Sequence, residues 1–168
     1  MSNAARFSII IPSLDPDERL LNAVEDCIRN GFSKILVVND GSQQKCQDIF
    51  NRIGEKDECI VLQHNQNRGK GVALKTAFRY IMDGTDQELC ACITVDGDGQ
   101  HTGRDIVACA KKSLEEPDKL ILGSRCFTRK EAKCKNIPMR SWFGNWLTSK
   151  IFSFFVAYIY QIHRPDLG

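Results

Sequence analysis

Four things are scarce in this 168-residue sequence, and each scarcity removes a class of function. Net charge is the first: 23 Lys and Arg against 21 Asp and Glu leave a formal +2, with no run of like charges. Nucleic-acid binding needs a basic face or tail to meet phosphate, so nucleic acid is not an expected partner. The second is metal-type cysteine spacing. The eight cysteines contain no C-x-x-C pair, and three histidines are too few to complete zinc sets. Cys90 and Cys92, two apart in an apolar run, share a face and read as small core residues. Third, the N-terminus shows no signal-peptide pattern, and reduced thiols in a cytoplasmic protein are the expectation. Fourth, no apolar run is long and clean. The most apolar segment, Met139 to about Tyr160, is broken by Asn145, Thr148, Ser149 and Lys150, which argues against a bilayer-spanning helix.

What is present is an ordinary globular composition, 42% hydrophobic and 26% charged, at the length of about one domain. Short β-branched runs alternate with longer amphipathic stretches. Phe7–Ser13, Lys34–Asp40, Cys59–His64 and Leu89–Asp96 read as strands, with a short fifth at Leu120–Ser124. Pro12 is expected to end the first, because proline cannot donate to a ladder. Helical spacing runs from about Pro16 to Asn30, weakly to Gly54, over Lys70–Met82, and from about Arg104 to Leu114. This alternation predicts an α/β fold, a mostly parallel sheet flanked by helices and joined by right-handed crossovers. Residues 1–5 read as a disordered start or expression remnant, and 6–125 as the α/β core. Residues 126–168 read as a basic loop and aromatic helix on the acceptor or membrane side. With no closing strand before Gly168, the natural protein is expected to be longer.

In open parallel sheets, ligands bind at the carboxyl ends of the strands, at a topological switch point. The distinctive residues lie there: Asn39-Asp40-Gly41-Ser42 after strand two, Asn67 to Gly71 after strand three, and Asp96-Gly97-Asp98-Gly99 after strand four. Two carboxylates one residue apart, an Asp-x-Asp motif, can converge on a hard cation such as magnesium or manganese. His101 is a candidate further ligand. A plain turn is the bland alternative. An EF-hand starting at Asp96 would put His101 where glycine is required and Val107 where the bidentate Glu belongs. A dinucleotide fingerprint over Gly97, Gly99 and Gly103 would set pyrophosphate against two carboxylates, and on the fourth strand rather than the first. Lys70 fails as a phosphate-loop lysine because Gly71, not Ser or Thr, follows it.

Taken in order, IIIPSLDPDE (Ile9–Glu18), VVNDGS (Val37–Ser42), NRGKGVAL (Asn67–Leu74), TVDGDGQH (Thr94–His101) and LGSR (Leu122–Arg125) resemble family 2 glycosyltransferases of the GT-A fold. The resemblance is to the branch that makes polyprenyl- or dolichyl-phosphate sugars. It implies that Pro12 and the acids from Asp15 to Glu18 lie beside the nucleotide, and that Asp40 accepts a hydrogen bond from the base. It implies that Asn67 and Lys70 border that pocket, with Asp96 on the ribose or metal and Asp98 on the metal at the diphosphate. Arg125 and Arg140 would contact phosphates of donor or lipid acceptor. Two departures stand out. The family's Asn followed by Glu after strand one is Asp15-Pro16-Asp17-Glu18 here. Its Asp-Thr-Gln-x-Gly segment falls at Arg164 to Gly168, where Asp166 could stand in for the acid as a catalytic group.

The function so implied is transfer of a sugar from a UDP- or GDP-sugar to a polyprenyl phosphate or glycan, with inversion and with Mg2+ or Mn2+. Peripheral membrane contact through the aromatic helix and basic loop, at the inner face of the membrane, is one expectation and a core helix the other. Two rivals remain: a catalytically impaired nucleotide-sugar-binding domain, suggested by Arg164, and a nucleotidyltransferase. The latter places a Gly-rich basic loop after strand one, where this chain has Ser13-Leu14-Asp15-Pro16.

Overall fold

The structure, a computed structural model, describes residues 3–84 and 91–123. Four parallel strands form its sheet: β1 (Phe7–Ser13), β2 (Ile35–Asn39), β3 (Cys59–Gln63) and β4 (Ala91–Thr94), in the order β3-β2-β1-β4. Four helices alternate with them: α1 (Glu18–Arg29), α2 (Gln47–Gly54), α3 (Lys70–Asp83) and α4 (Gly103–Glu115). Asn3–Arg6, which span the boundary expected between residues 5 and 6, form a 3-10 turn whose Ala4 packs on the core.

The strand order explains which face each helix covers. Right-handed crossovers from β1 to β2 and from β2 to β3 put α1 and α2 on one face. The next crossover reverses direction to reach β4 beyond β1, so the same handedness puts α3 on the other face. The core is accordingly split by the sheet. Phe7, Ile9, Ile11, Ile35 and Val37 pack with Leu20 and Val24 of α1, Phe50 and Ile53 of α2, and Ile106 of α4. Ile10, Leu36 and Val38 point the other way, onto Ala73 and Ala77 of α3. Strands buried on both faces are the reason their sequences run apolar without alternation.

Two expectations change. Pro12 does not end β1; it pairs with Val38 inside the strand. Ile9 N–H donates to Lys34 and Asp40 N–H to the Ser13 carbonyl, so odd residues of β1 bond toward β2. Ile10, by contrast, accepts from Val95 on the β4 side. Residue 12 therefore faces β4 beyond the last pair, Ile10 with Thr94, where no donor is required. The fifth strand is absent over residues 120–123, where Leu120 and Leu122 are 85% and 77% exposed. An apolar run becomes a strand only beside another strand, and none flanks it among the described residues.

The five cysteines described, Cys27, Cys46, Cys59, Cys92 and Cys109, are free thiols. Burial pushes the Cys27 thiol up to about 12 and that of Cys59 to about 11, so both behave as small apolar residues.

Candidate active site

β1 turns toward α1 on one side of the sheet, while β4 is reached from the other, so the crevice between their carboxyl ends is the switch point. A cavity of about 440 Å³ lies there, within the size range of small-molecule sites. Its floor is Pro12 and Ser13 at the end of β1. One wall is the turn from Leu14 to Asp17 with Arg19, and the other is Asn67, Gly69, Lys70 and Ala73. Asp40 closes the β2 side, and Asp96, Gly97 and Asp98 close the β4 side.

Close packing of loops builds this crevice. Gly41 has φ +75°, and a Cβ there would run into the backbone of Gln66 and Asn67, so the loops after β2 and β3 touch through a missing side chain. Gly97 does the same against β1 and α1: a Cβ would sit 2.9 Å from Leu20 Cδ1 and 3.4 Å from Ile11 Cγ2. At the first loop, Asp15 holds φ +48°. Its carboxylate accepts from Gln43 N at 2.8 Å and Gln43 Nε2 at 3.0 Å, while its own N–H donates to Ser42 Oγ at 2.9 Å. Asp15 is thus a strut between the loops after β1 and β2.

Asp40 is 3% exposed. One carboxylate oxygen takes the Arg68 amide at 3.0 Å and lies 2.7 Å from His64 Nδ1, and the other takes the Gly69 amide at 2.7 Å. Burial alone would push its carboxyl up, but the bonds from His64 and the two amides outweigh it and hold the group below the usual aspartate value. The hydrogen bond to a base expected of Asp40 would be additional to these three. On the opposite side, Lys70 Nζ reaches Asp96 Oδ1 at 2.5 Å, and this ammonium, with help from His101, lowers the Asp96 carboxyl. Asp98 accepts from Gln100 N at 3.0 Å and Gln100 Nε2 at 2.6 Å. Arg19, fixed by Asp17 at 2.9 Å, lies in the field of Asp98.

Pro12, Asp15, Asp40, Asn67, Lys70, Asp96 and Asp98 are therefore brought together as the sequence predicts. Glu18 is not: it turns away and accepts from Arg52 at 2.7 Å, and Arg19 faces the cavity in its place. His101 stands outside the lining, its Nε2 3.7 Å from Asp96 Oδ2. Among the described residues, no three His, Cys, Asp or Glu side chains converge to hold a metal, so the trio Asp96, Asp98 and His101 is not assembled. The two carboxylates still suit magnesium or manganese, which takes one or two carboxylates and completes its shell with water and substrate phosphate. Arg125, Arg140 and Asp166 lie outside the described residues.

Sequence reasoning did not single out Arg19 in the lining or His64 behind Asp40. His64 could have been found from strand register. Asn39 pairs with Gln63, so Asp40 and His64 leave neighbouring strands side by side.

Known proteins share this architecture and sequence. The chain is 29% identical over 144 residues to an uncharacterized protein of Methanocaldococcus jannaschii, covering 86% of this chain and 56% of that one. It is 26% identical over 151 residues to the UDP-N-acetylglucosamine–dolichyl-phosphate N-acetylglucosaminyltransferase of Methanococcus voltae, covering 82% and 58%. It is 23% identical over 147 residues to a dolichyl-phosphate beta-glucosyltransferase of Trichomonas vaginalis, covering 80% and 43%. The chain thus spans about half the length of these relatives. In fold it is similar to the crystal structure of S. aureus TarS 1-349, with a TM-score of 0.54 and 17% identity over 74% of this chain and 40% of that one. The architecture is GT-A. The profile of glycosyl transferase family 2 matches residues 8–158, from the second residue of β1 to well past the acidic turn, and the chain belongs to that family.

Proposed function

We propose that this chain is the donor-binding core of a transferase that moves a sugar from a UDP- or GDP-sugar to a polyprenyl phosphate or glycan, with inversion and with Mg2+ or Mn2+. The observation that carries the reading is the cavity at the β1–β4 switch point. It gathers two carboxylates, Asp96 and Asp98, and two cations in one lining, with Lys70 paired to Asp96 and Arg19 to Asp17. A nucleoside diphosphate bridged to a divalent cation presents the complementary pattern, phosphate charge for the cations and metal charge for the carboxylates. Two relatives carry dolichyl phosphate in their names, which supports a lipid-phosphate acceptor. Such an acceptor places the reaction at a membrane surface. Among the described residues, no helix is long and apolar enough to cross one.

Asp96 and Asp98 would hold the cation, which when bound neutralises charge growing on the departing diphosphate. Lys70 and Arg19, which also line the cavity, would turn from Asp96 and Asp17 to take the phosphate oxygens. The acceptor oxygen attacks the anomeric carbon from the face opposite the diphosphate, which inverts the configuration. A lipid phosphate is already anionic and needs little help from a base, whereas a hydroxyl acceptor needs one, the role Asp166 would fill. Calorimetric titration with UDP, GDP and their sugars, with and without manganese, tests the reading. Metal-dependent binding of one nucleotide is expected, and no binding of either in manganese would sink it.

A further inference from the structure

Behind the cavity wall lies a buried polar chain. Asp40 and His64 are 3% and 8% exposed. His64 Nδ1 is 2.7 Å from Asp40 Oδ1, and Nε2 is 2.9 Å from Thr76 Oγ1 on α3. An ionised carboxylate only accepts, so Nδ1 carries the proton and donates. In the neutral ring, Nε2 then accepts from the Thr76 hydroxyl. Asp40 in turn holds the amides of Arg68 and Gly69, immediately before Lys70. One imidazole thus ties the body of α3 to the carboxylate that fixes the loop leading into it.

Stability alone does not account for such a chain. Apolar residues of similar size could fill the space without desolvating a charge, and replacing a buried ionic group in that way is often neutral or stabilising. Both ends of the chain grip the segment that delivers Lys70 to Asp96 across the cavity. A side chain at the first position of α3 stands where its loop and its helix together put it. We propose that His64 is a positioning residue: by joining Thr76 to Asp40 it sets where Lys70 stands on the diphosphate side of the cavity. This deepens the donor-site reading and rests on it.

The test is a double-mutant cycle on the 168-residue chain, read by calorimetry with UDP and GDP in manganese. Thr76→Val, which removes only the helix end of the chain, should weaken binding about two- to tenfold, and His64→Leu about tenfold or more. His64→Asn keeps a donor for Asp40 but cannot reach Thr76, and should match Thr76→Val. In a Lys70→Ala background, each change should add less than about twofold, because the group being positioned is gone. Effects that multiply in full with Lys70→Ala, or lowered melting with unchanged affinity, overturn the proposal. If the unaltered chain binds neither nucleotide, the donor reading fails by itself, and amide hydrogen exchange then decides about His64. Thr76→Val should lose protection at Arg68, Gly69 and the first turn of α3 while β1 and β2 keep theirs. Unchanged protection at those amides overturns the proposal.

Discussion

Asp40 gathers three donors on one carboxylate, two on one oxygen and one on the other, and the smallest change, to Asn, leaves at least one of them facing an NH2. An amide offers one acceptor oxygen and turns an NH2 toward a donor, so Asp40→Asn should cost about 1–3 kcal/mol in urea unfolding at pH 7. The folded carboxyl titrates below the ordinary value of 3.8, so its stabilisation is complete above that value and drains away as pH falls through the folded one. The urea midpoint of the natural sequence should therefore drop below about pH 4, more steeply than that of Asp40→Asn. Gly41→Ala combines a left-handed φ with a backbone collision, and a loss of at least about 1–3 kcal/mol is expected, measured by thermal melting. Asp98→Ala should spare stability and remove function. Gln100, two residues on, is the donor its carboxylate accepts from, so melting should shift little while manganese-dependent nucleotide binding is lost. Most lining residues were legible because turn chemistry marks strand ends. Glu18 was expected at the cavity and Arg19 passed over because one step along a helix rotates a side chain by about 100°, and no pattern in the DPDER stretch fixes that phase.

The elements owe their positions to side-chain size as much as to pattern. Ala73 and Ala77, both fully buried, let α3 lie close on Ile10, Leu36 and Val38. Ala77→Leu inserts volume into that contact and should cost about 1–3 kcal/mol by overpacking, read as a lower denaturant midpoint with an unchanged slope. Because Lys70 opens the same helix, nucleotide affinity should fall alongside. In the sequence, α2 could be read only at its end, and β4 only at its carboxyl end, since Leu89 and Cys90 lie outside the described residues. Strands β1 to β3 and helices α1, α3 and α4 could be read within a residue or two from apolar runs and helical spacing. Phe7–Ser13 is an instance, where continuous burial left one sensible assignment. Leu120–Gly123 misled for the opposite reason. Its composition is that of a strand, but a strand is completed by a neighbour, and a neighbour is not a local property.

At the scale of the molecule, the alternation of strands and helices announced a parallel sheet but not the order β3-β2-β1-β4. That order follows from which way each crossover turns, and it decides that the loops after β1 and β4 face each other across an opening. The family profile and the GT-A architecture show that the sheet carrying that opening belongs to a known fold. Pro12 now takes on a further meaning. In a regular parallel ladder, the next rung after the Val95 amide and Ile10 carbonyl would run from the amide of residue 12 to the Val95 carbonyl. Proline has no hydrogen to give, so β1 and β4 cannot zip one step further and draw the acidic turn down onto the sheet. A missing atom thus marks where the ladder stops and the crevice begins, a doorstop built into the backbone whether or not anything stands in the doorway.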